Sequence, residues 1–480
     1  MTSTIGPDGT IPLWLNGEQV QTSKSFEVIS PSTGKALYKS AAASVDDANA
    51  AVAAAKAAFP AWSQTKPSAR RDILLKAADL LIERKEQMWQ LASTEVASTE
   101  GCFAFDFADT LEAIRSTAGL IASAQNGQLP AMGDPGRSAM VIREPYGVIV
   151  AIAPWNCPCI LLTRSFLAPL AVGNTVVVKG PEKAPGCLNA LLQLFHDAGV
   201  PAGVLNSIVH RPQDGAEITP VLISHPAVRK INFTGSTAVG SIVAGLAGKA
   251  LKPVLMELGG KAPAIVCEDA DLQNAAVQCA VGAFLFSGQI CMATERVIVN
   301  SKVADKFREV LAGAIDAIFP DKNGLVLVDK APVQKNSALV QDALSKGAKA
   351  IYGDPSDQRE LTTAMRPIVV EGVKDGMDLY YTESFGPTVS LMIVDSDEEA
   401  IKIANDTDYG LASAVFTENL QRGLRIAKQI ETGAVHINSM SVHDEPSLPH
   451  GGAKKSGFGR FNGEEGLKEW VRLKTITWKD

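Results

Sequence analysis

The chain has 480 residues, of which 46% are hydrophobic and 20% charged. That balance excludes disordered and fibrous chains, and the length can bury a large core without disulfide or metal staples. Lys and Arg number 45 against 52 Asp and Glu, a net charge of −7, which argues against nucleic acid or an anionic membrane as a partner.

The first ten residues have no basic start and no apolar run, so no signal peptide is expected. Seven cysteines without framework spacing fit a reducing compartment, and the cytoplasm is the expected location. Ser44-Val-Asp-Asp47 is a capping-box pattern opening an Ala-rich helix to Phe59. A longer helix is expected over 68–91, then a Gly- and Pro-rich stretch over 126–136 and a polar strand over 138–144. Tyr146 to Thr163 is uncharged and long enough to cross a bilayer, but Pro154, Asn156 and Pro158 lie at its centre. Such residues break a helix and leave polar groups unpaired in lipid, so the stretch reads as a strand, a loop and a helix start.

From Val148 the pattern alternates. Strands are expected at 148–153, 175–179, 204–209, 229–233 and 253–257, with helices to about Ala171 and at 185–199, 214–224 and 236–248. Near-continuous apolar strands between helices indicate a parallel sheet covered on both faces, with ligands beyond the carboxyl ends of the strands. A second α/β pattern begins near Ala262. It has a strand at 264–267, Asp269 as N-cap of a helix to about Phe286, a strand at 296–299 and a helix from about Val303. More strands follow near Ile368, Val389, Ala412 and Ala434. The C-terminal stretch 469–478 alternates in β fashion, so it and 138–144 are expected to pair with each other at a subunit interface.

Several side chains stand where these elements would present them. Cys291 lies in the loop Ser287-Gly-Gln-Ile-Cys-Met-Ala-Thr-Glu-Arg296, as a nucleophile or as a small buried hydrophobe. Cys102, Cys187, Cys267 and Cys279 fall in helix- or strand-like runs and read as core. Cys157 and Cys159 make a C-x-C, but the six histidines look scattered, and no metal is expected. Glu257 closes an apolar strand ahead of Gly259 and Gly260, as a general base or a turn carboxylate. Asn156 follows another strand end, as an oxyanion donor or a turn residue. Phe233-Thr-Gly-Ser236, with Gly240 on the following helix, suits a diphosphate at a helix N-terminus. Lys179 and Glu182 could hold ribose hydroxyls or form a solvated ion pair.

Together and in this order, the motifs resemble the NAD(P)-dependent aldehyde dehydrogenase superfamily. The matching residues are Pro154-Trp-Asn156, Lys179 with Glu182, Phe233-Thr-Gly-Ser236 with Gly240, Glu257-Leu-Gly-Gly260, Gly288-Gln-Ile-Cys291, Glu383-Ser-Phe-Gly-Pro387 and Pro449-His-Gly-Gly452. The resemblance runs from about Trp14 to the C-terminus. It implies an α/β fold: a Rossmann-like doubly wound NAD-binding domain over 1–125 and 147–257, an α/β catalytic domain over 258–455, and a β oligomerisation arm over 126–146 and 456–480. It implies Cys291 as nucleophile, Asn156 as oxyanion donor and Glu257 as base. It places Trp155, Lys179, Glu182, Gly235, Ser236, Gly240, Glu383 and Phe385 at the cofactor, and Arg164, Cys157 and His450 at the substrate. NAD is favoured and NADP stays open, because a carboxylate at 182 repels a 2′-phosphate. The implied partner is a small-molecule aldehyde, in a homodimer or homotetramer.

The segment Lys179-Gly-Pro-Glu182 departs from the usual Lys-Pro-Ser-Glu, and His450 stands where Phe is common. Gly288-Gln-Ile-Cys-Met-Ala-Thr-Glu295, Val442-His-Asp-Glu445 and Arg164 are similar to the branch that oxidises aromatic aldehydes. Arg164 would then meet a ring hydroxyl or carboxylate of the substrate, or else an acidic neighbour in an ion pair. Oxidation of a pathway-specific imine or a non-aromatic aldehyde, or a non-catalytic binding role on the same fold, remain alternatives.

Overall fold

The computed structural model describes residues 9–320, 324–357 and 359–479. Its first lobe is built on an eight-stranded sheet. Five parallel strands form the centre: Val254–Glu257, Val228–Thr234, Val148–Ile152, Thr175–Lys179 and Leu205–Ile208, in that order across the sheet. They are Val- and Ile-rich and almost wholly buried, as a sheet covered by helices on both faces requires. Register aligns their ends, with Ile152 opposite Lys179 and Thr234 opposite Glu257. The sites expected beyond these strands therefore share one edge of the sheet.

The second lobe carries a seven-stranded sheet in the order Lys349–Tyr352, Ile368–Glu371, Thr388–Val394, Thr294–Asn300, Ala262–Val266, Ala412–Phe416 and Ala434–Ile437. All its ladders are parallel except the one to the edge strand Lys349–Tyr352. Arg296 lies inside this lobe, fully buried, and its guanidinium donates to the carbonyls of Lys261, Ile403 and Ala404. The mixed α/β fold with two parallel-stranded lobes agrees with the expected architecture. Among the described residues no helix is long and apolar enough to cross a membrane.

Local signals were legible to different degrees. Ser44 caps the helix Val45–Ser63 with both bonds of a capping box, as expected. The expected helix over 68–91 is instead two, Pro67–Glu83 and Lys85–Val96, which meet at the non-helical Arg84. Asp271, not Asp269, caps the helix Leu272–Phe284. Asp269 instead accepts from Thr417 Oγ1 and pairs with Arg422. A helix of 25 residues, Glu100–Ala124, had no counterpart in the sequence expectation.

The outlying strands pair with each other. Val471–Lys479 runs antiparallel to Arg137–Pro145 from Val471 opposite Pro145 to Lys479 opposite Arg137. Of the stretch 456–480 assigned to the arm, only this strand belongs to the ribbon. Gly457–Phe458 instead adds an antiparallel edge to the first sheet, with Gly457 opposite Glu257. The helix Gly463–Lys468 packs on Glu100–Ala124. The reason is local: φ of +114° at Gly457 and +84° at Gly459 turns the chain back onto the sheet, a conformation that favours glycine.

Candidate active site

A cleft of about 250 Å³ opens where the edges of the two sheets face each other. Its wall includes Asn156, Glu257 and Cys291, with Trp155, Gly235, Ser236, Glu383 and Phe385. Eight expected site residues, from five separate segments of the chain, thus meet in one cavity.

Cys291 is presented by an unusual loop. Phe286, Ser287 and Gly288 have successive φ values of +49°, +59° and +73°. A Cβ on Gly288 would stand 2.3 Å from the Gly386 carbonyl, so only glycine lets this loop lie against the Glu383–Pro387 segment. On the other side a Cβ on Gly260 would strike the Cys291 carbonyl at 2.3 Å. Cys291 is half-buried at the cleft, whereas the other six cysteines are buried, and all seven are free. Burial pushes the Cys291 thiol well up, and the Glu257 carboxylate beside it adds to that.

Glu257 is 1% exposed, and neither of its carboxylate oxygens has a hydrogen-bond partner among the described residues. An unpartnered buried carboxylate at a strand end is costly as structure and suited to taking a proton. Asn156, also buried, donates one amide N–H to the Gln289 carbonyl at 3.0 Å. That bond fixes the amide next to the Cys291 loop and leaves its second N–H free to donate. Gln289 is in turn held by Val328 N–H at 2.9 Å.

The cofactor-side residues lie along the same edge. Ser236 caps the helix Thr237–Lys249, accepting from Val239 N–H. Gly240 lets that helix close on the sheet, since a Cβ there would meet Leu258 at 2.5 Å; one on Gly235 would meet the Phe233 ring at 2.8 Å. Lys179 Nζ stands 3.9 Å from Glu182 Oε2, and burial pushes its amine down. Neither residue lines the central cleft; both sit beyond the strand Thr175–Lys179. Glu383 accepts from Gly260 N–H at 2.8 Å, and burial, with Glu295 next, pushes its carboxyl up to about 7. Trp155 stands edge-on to Phe385 with ring centroids 6.1 Å apart. A buried lysine beside a carboxylate, a helix N-terminus and a buried acid at the cleft fit the two riboses and the diphosphate of a dinucleotide.

The three residues expected at the substrate are placed less simply. Arg164 is buried, forms an ion pair with Asp444 and lies 5.2 Å over the Phe461 ring. The acidic-neighbour alternative is therefore present, and Arg164 does not line the cleft. Cys157 is buried at the left-handed N-cap of the helix Pro158–Ala171, with its thiol against Cys102. His450 is buried with Nε2 4.0 Å from Glu257 Oε1 and does not line the cleft. The histidines are not all scattered. The His436 and His443 rings lie 4.7 Å apart, tilted by 50°, and both His443 and His450 act on His436.

Some participants escaped the sequence reading. Lys261 and Glu295 form a fully buried ion pair at 2.6 Å, and Glu295 also accepts from the N–H groups of Ser384 and Phe385. This pair ties the Gly260 turn to the Glu383–Pro387 segment. Its only sequence signal is two charges inside otherwise apolar strand edges. Lys335, from the helix Lys330–Ser345, also lines the cleft, and nothing in its local pattern marked it.

Residues 14–476 match the profile of the aldehyde dehydrogenase family. The chain is 41% identical over 475 residues to the vanillin dehydrogenase of a Pseudomonas strain, covering 97% of each protein. It is 38% identical over 473 residues to a Pseudomonas salicylaldehyde dehydrogenase, covering 97% of this chain and 96% of the relative. The crystal structure of the salicylaldehyde dehydrogenase of Pseudomonas putida, complexed with salicylaldehyde, superposes with a TM-score of 0.94 at 37% identity over 98% of each chain.

Proposed function

Since the chain belongs to the aldehyde dehydrogenase family, we propose that it oxidises an aromatic aldehyde to the carboxylic acid with NAD, through a thiohemiacetal and a thioester on Cys291. The observation that carries this reading is the convergence of Cys291, Asn156 and Glu257 on one cleft. Similarity to vanillin and salicylaldehyde dehydrogenases supports the aromatic class. A nicotinamide dinucleotide, NAD or NADP, is the hydride acceptor of this family.

Glu257 removes the thiol proton, and Cys291 Sγ adds to the aldehyde carbon. The free Asn156 amide N–H and the Cys291 backbone N–H, which has no partner among the described residues, hold the alkoxide. A nicotinamide dinucleotide held by Ser236, Glu383 and Phe385 would supply the acceptor for the thiohemiacetal hydride, which converts the adduct on Cys291 to a thioester. Once the thiol proton has passed from Glu257 to solvent, the carboxylate activates water, the C–S bond breaks with Cys291 leaving as thiolate, and the acid departs.

For the cofactor, Lys179 and Glu182 would meet the adenosine ribose, Ser236 the diphosphate, and Glu383 with Phe385 the nicotinamide ribose. The Glu182 carboxylate is the reason to favour NAD, because it would oppose a 2′-phosphate. The paired strands Arg137–Pro145 and Val471–Lys479 are read as the arm of a homodimer or homotetramer.

The test is NADH formation with vanillin, salicylaldehyde, benzaldehyde, a long-chain aldehyde and betaine aldehyde, with NAD and NADP in parallel and Cys291→Ala as control. An aromatic preference with NAD that vanishes in the control is expected. Turnover of the aliphatic members alone would remove the aromatic reading.

A further inference from the structure

Every deacylation leaves a proton on Glu257, and the structure puts one buried base within reach of it. His450 Nε2 lies 4.0 Å from Glu257 Oε1. Both residues are buried, and Nε2, like both carboxylate oxygens, lacks a hydrogen-bond partner among the described residues. Facing buried polar atoms without partners are costly unless a proton or a water joins them.

The backbone fixes this juxtaposition. His450 and Phe461 exchange both backbone hydrogen bonds, at 3.0 and 2.7 Å. The adjoining strand Gly457–Phe458 is paired with Met256 and Glu257. The segment that holds the imidazole and the strand that ends in the carboxylate therefore form one unit.

We propose that His450 accepts the proton that Glu257 takes from water, and so returns Glu257 to its ionised form; this rests on reading Glu257 as the hydrolytic base. Water oxygen bonds to the thioester carbon while its proton goes to Glu257. The C–S bond then breaks, and Cys291 leaves as thiolate. The Glu257 proton moves to His450 Nε2, by closing of the gap or through one bridging water, and then to solvent. No electrons change hands in this step. In this role His450 touches neither substrate nor cofactor. It is a positioning residue for protons and acts through Glu257.

The surrounding charges suit a transient imidazolium. Asp444 and Glu257 attract it, while Arg164, already paired with Asp444, opposes it. Asp106, Asp109 and the half-buried Cys291 also act with Arg164. His436 is pushed down to about 4, by burial first and then by His443 and His450, so it stays neutral and does not repel. His443, with its ring 4.7 Å from that of His436, is exposed and gives the cluster an outlet to water.

The experiment uses His450→Ala and His450→Gln in the full chain, with rapid-mixing NADH traces on vanillin and NAD. We expect a first turnover of one NADH per site at nearly the wild-type rate, followed by steady-state turnover slowed about tenfold or more. Added imidazole should restore part of the steady-state rate in His450→Ala and leave the wild type unchanged. His450→Gln keeps size and polarity but cannot take the proton, so it should stay slow while folded. Wild-type steady-state rates in both variants would overturn the proposal. So would loss of the first turnover in step with the steady state, which would put His450 at the substrate instead. Failure of the underlying reading looks different, because Glu257→Gln would then keep full turnover.

Discussion

Cys291 and Glu257 constrain each other through charge. The thiol is held well up by burial and then by the neighbouring carboxylate, so its thiolate is scarce at neutral pH unless that carboxylate takes the proton. Glu257→Gln removes the negative neighbour, and the Cys291 titration should move to lower pH. Iodoacetamide modification of Cys291, followed by mass spectrometry across pH, should therefore become faster near neutrality. Steady-state turnover should meanwhile fall by about 10²- to 10⁴-fold, because water loses its base. An unchanged alkylation profile would separate the two side chains. A second test concerns Glu182, whose carboxylate lies 3.9 Å from Lys179. Glu182→Ser leaves a buried amine without its counter-charge and should lower KM for NADP about tenfold, equal to about 1.4 kcal/mol, with a smaller change for NAD. Initial rates with both dinucleotides decide it. Cys291, Asn156 and Glu257 were legible in the sequence because each stands at an element end in a distinctive motif. The contacts of Arg164 and His450 were not, since their partners Asp444 and Glu257 lie far away in the chain.

The helix Glu100–Ala124 shows how elements, rather than motifs, support the site. It buries Asp106, which accepts from the N–H groups of Cys159 and Ile160 at 3.0 and 2.8 Å and so caps the helix Pro158–Ala171 behind Asn156. One turn on, Asp109 faces Arg164 and Asp444, and burial, then the Asp444 charge, pushes it up to about 8. Its folded pKa lies above the ordinary 3.8. Its contribution to stability is thus complete below that value and is lost progressively as pH rises to and through about 8. Asp109→Asn should flatten this decline, as read from urea midpoints taken at pH values between 3.8 and about 8. A slope equal to wild type would mean that Asp109 is ionised throughout. Arg164→Leu tests the same cluster from the other side. It leaves Asp444 buried without its cation and should cost about 3–5 kcal/mol in denaturant unfolding. The strands of both lobes were readable because a covered parallel sheet demands apolar runs. This helix was not, because Asp106, Asp109 and Thr110 lie on its buried face and interrupt the apolar stripe. The break at Arg84 was hidden for the opposite reason: helix-favouring residues continue straight through it.

At the scale of the whole molecule, the two sheets and the ribbon have separate duties. The cleft is made by strand ends and loops of the two lobes, whereas the ribbon of Arg137–Pro145 and Val471–Lys479 contributes nothing to its lining. A two-stranded ribbon is marginal in water on its own. This one also exposes Leu473, Ile476 and Trp478, at 64%, 39% and 41%. Ile476 and Trp478 point to one face of the ribbon and Leu473 to the other, and exposed apolar side chains on an open edge mark a candidate contact surface. Its root is anchored independently. Trp470 is buried, its carbonyl accepts from Asn174 Nδ2 at 2.9 Å, and Lys230 pairs with Glu469. Charging the ribbon should therefore weaken assembly without unfolding the lobes. For Leu473→Glu with Trp478→Glu we expect a smaller sedimenting species than wild type at equal concentration. The first-turnover NADH burst should persist, because Cys291, Asn156 and Glu257 are held by the sheets. Unchanged mass would show that the ribbon joins no subunits. Loss of the burst along with the mass would mean that assembly is needed to hold the cleft, a dependence that the separate anchoring at Trp470 argues against.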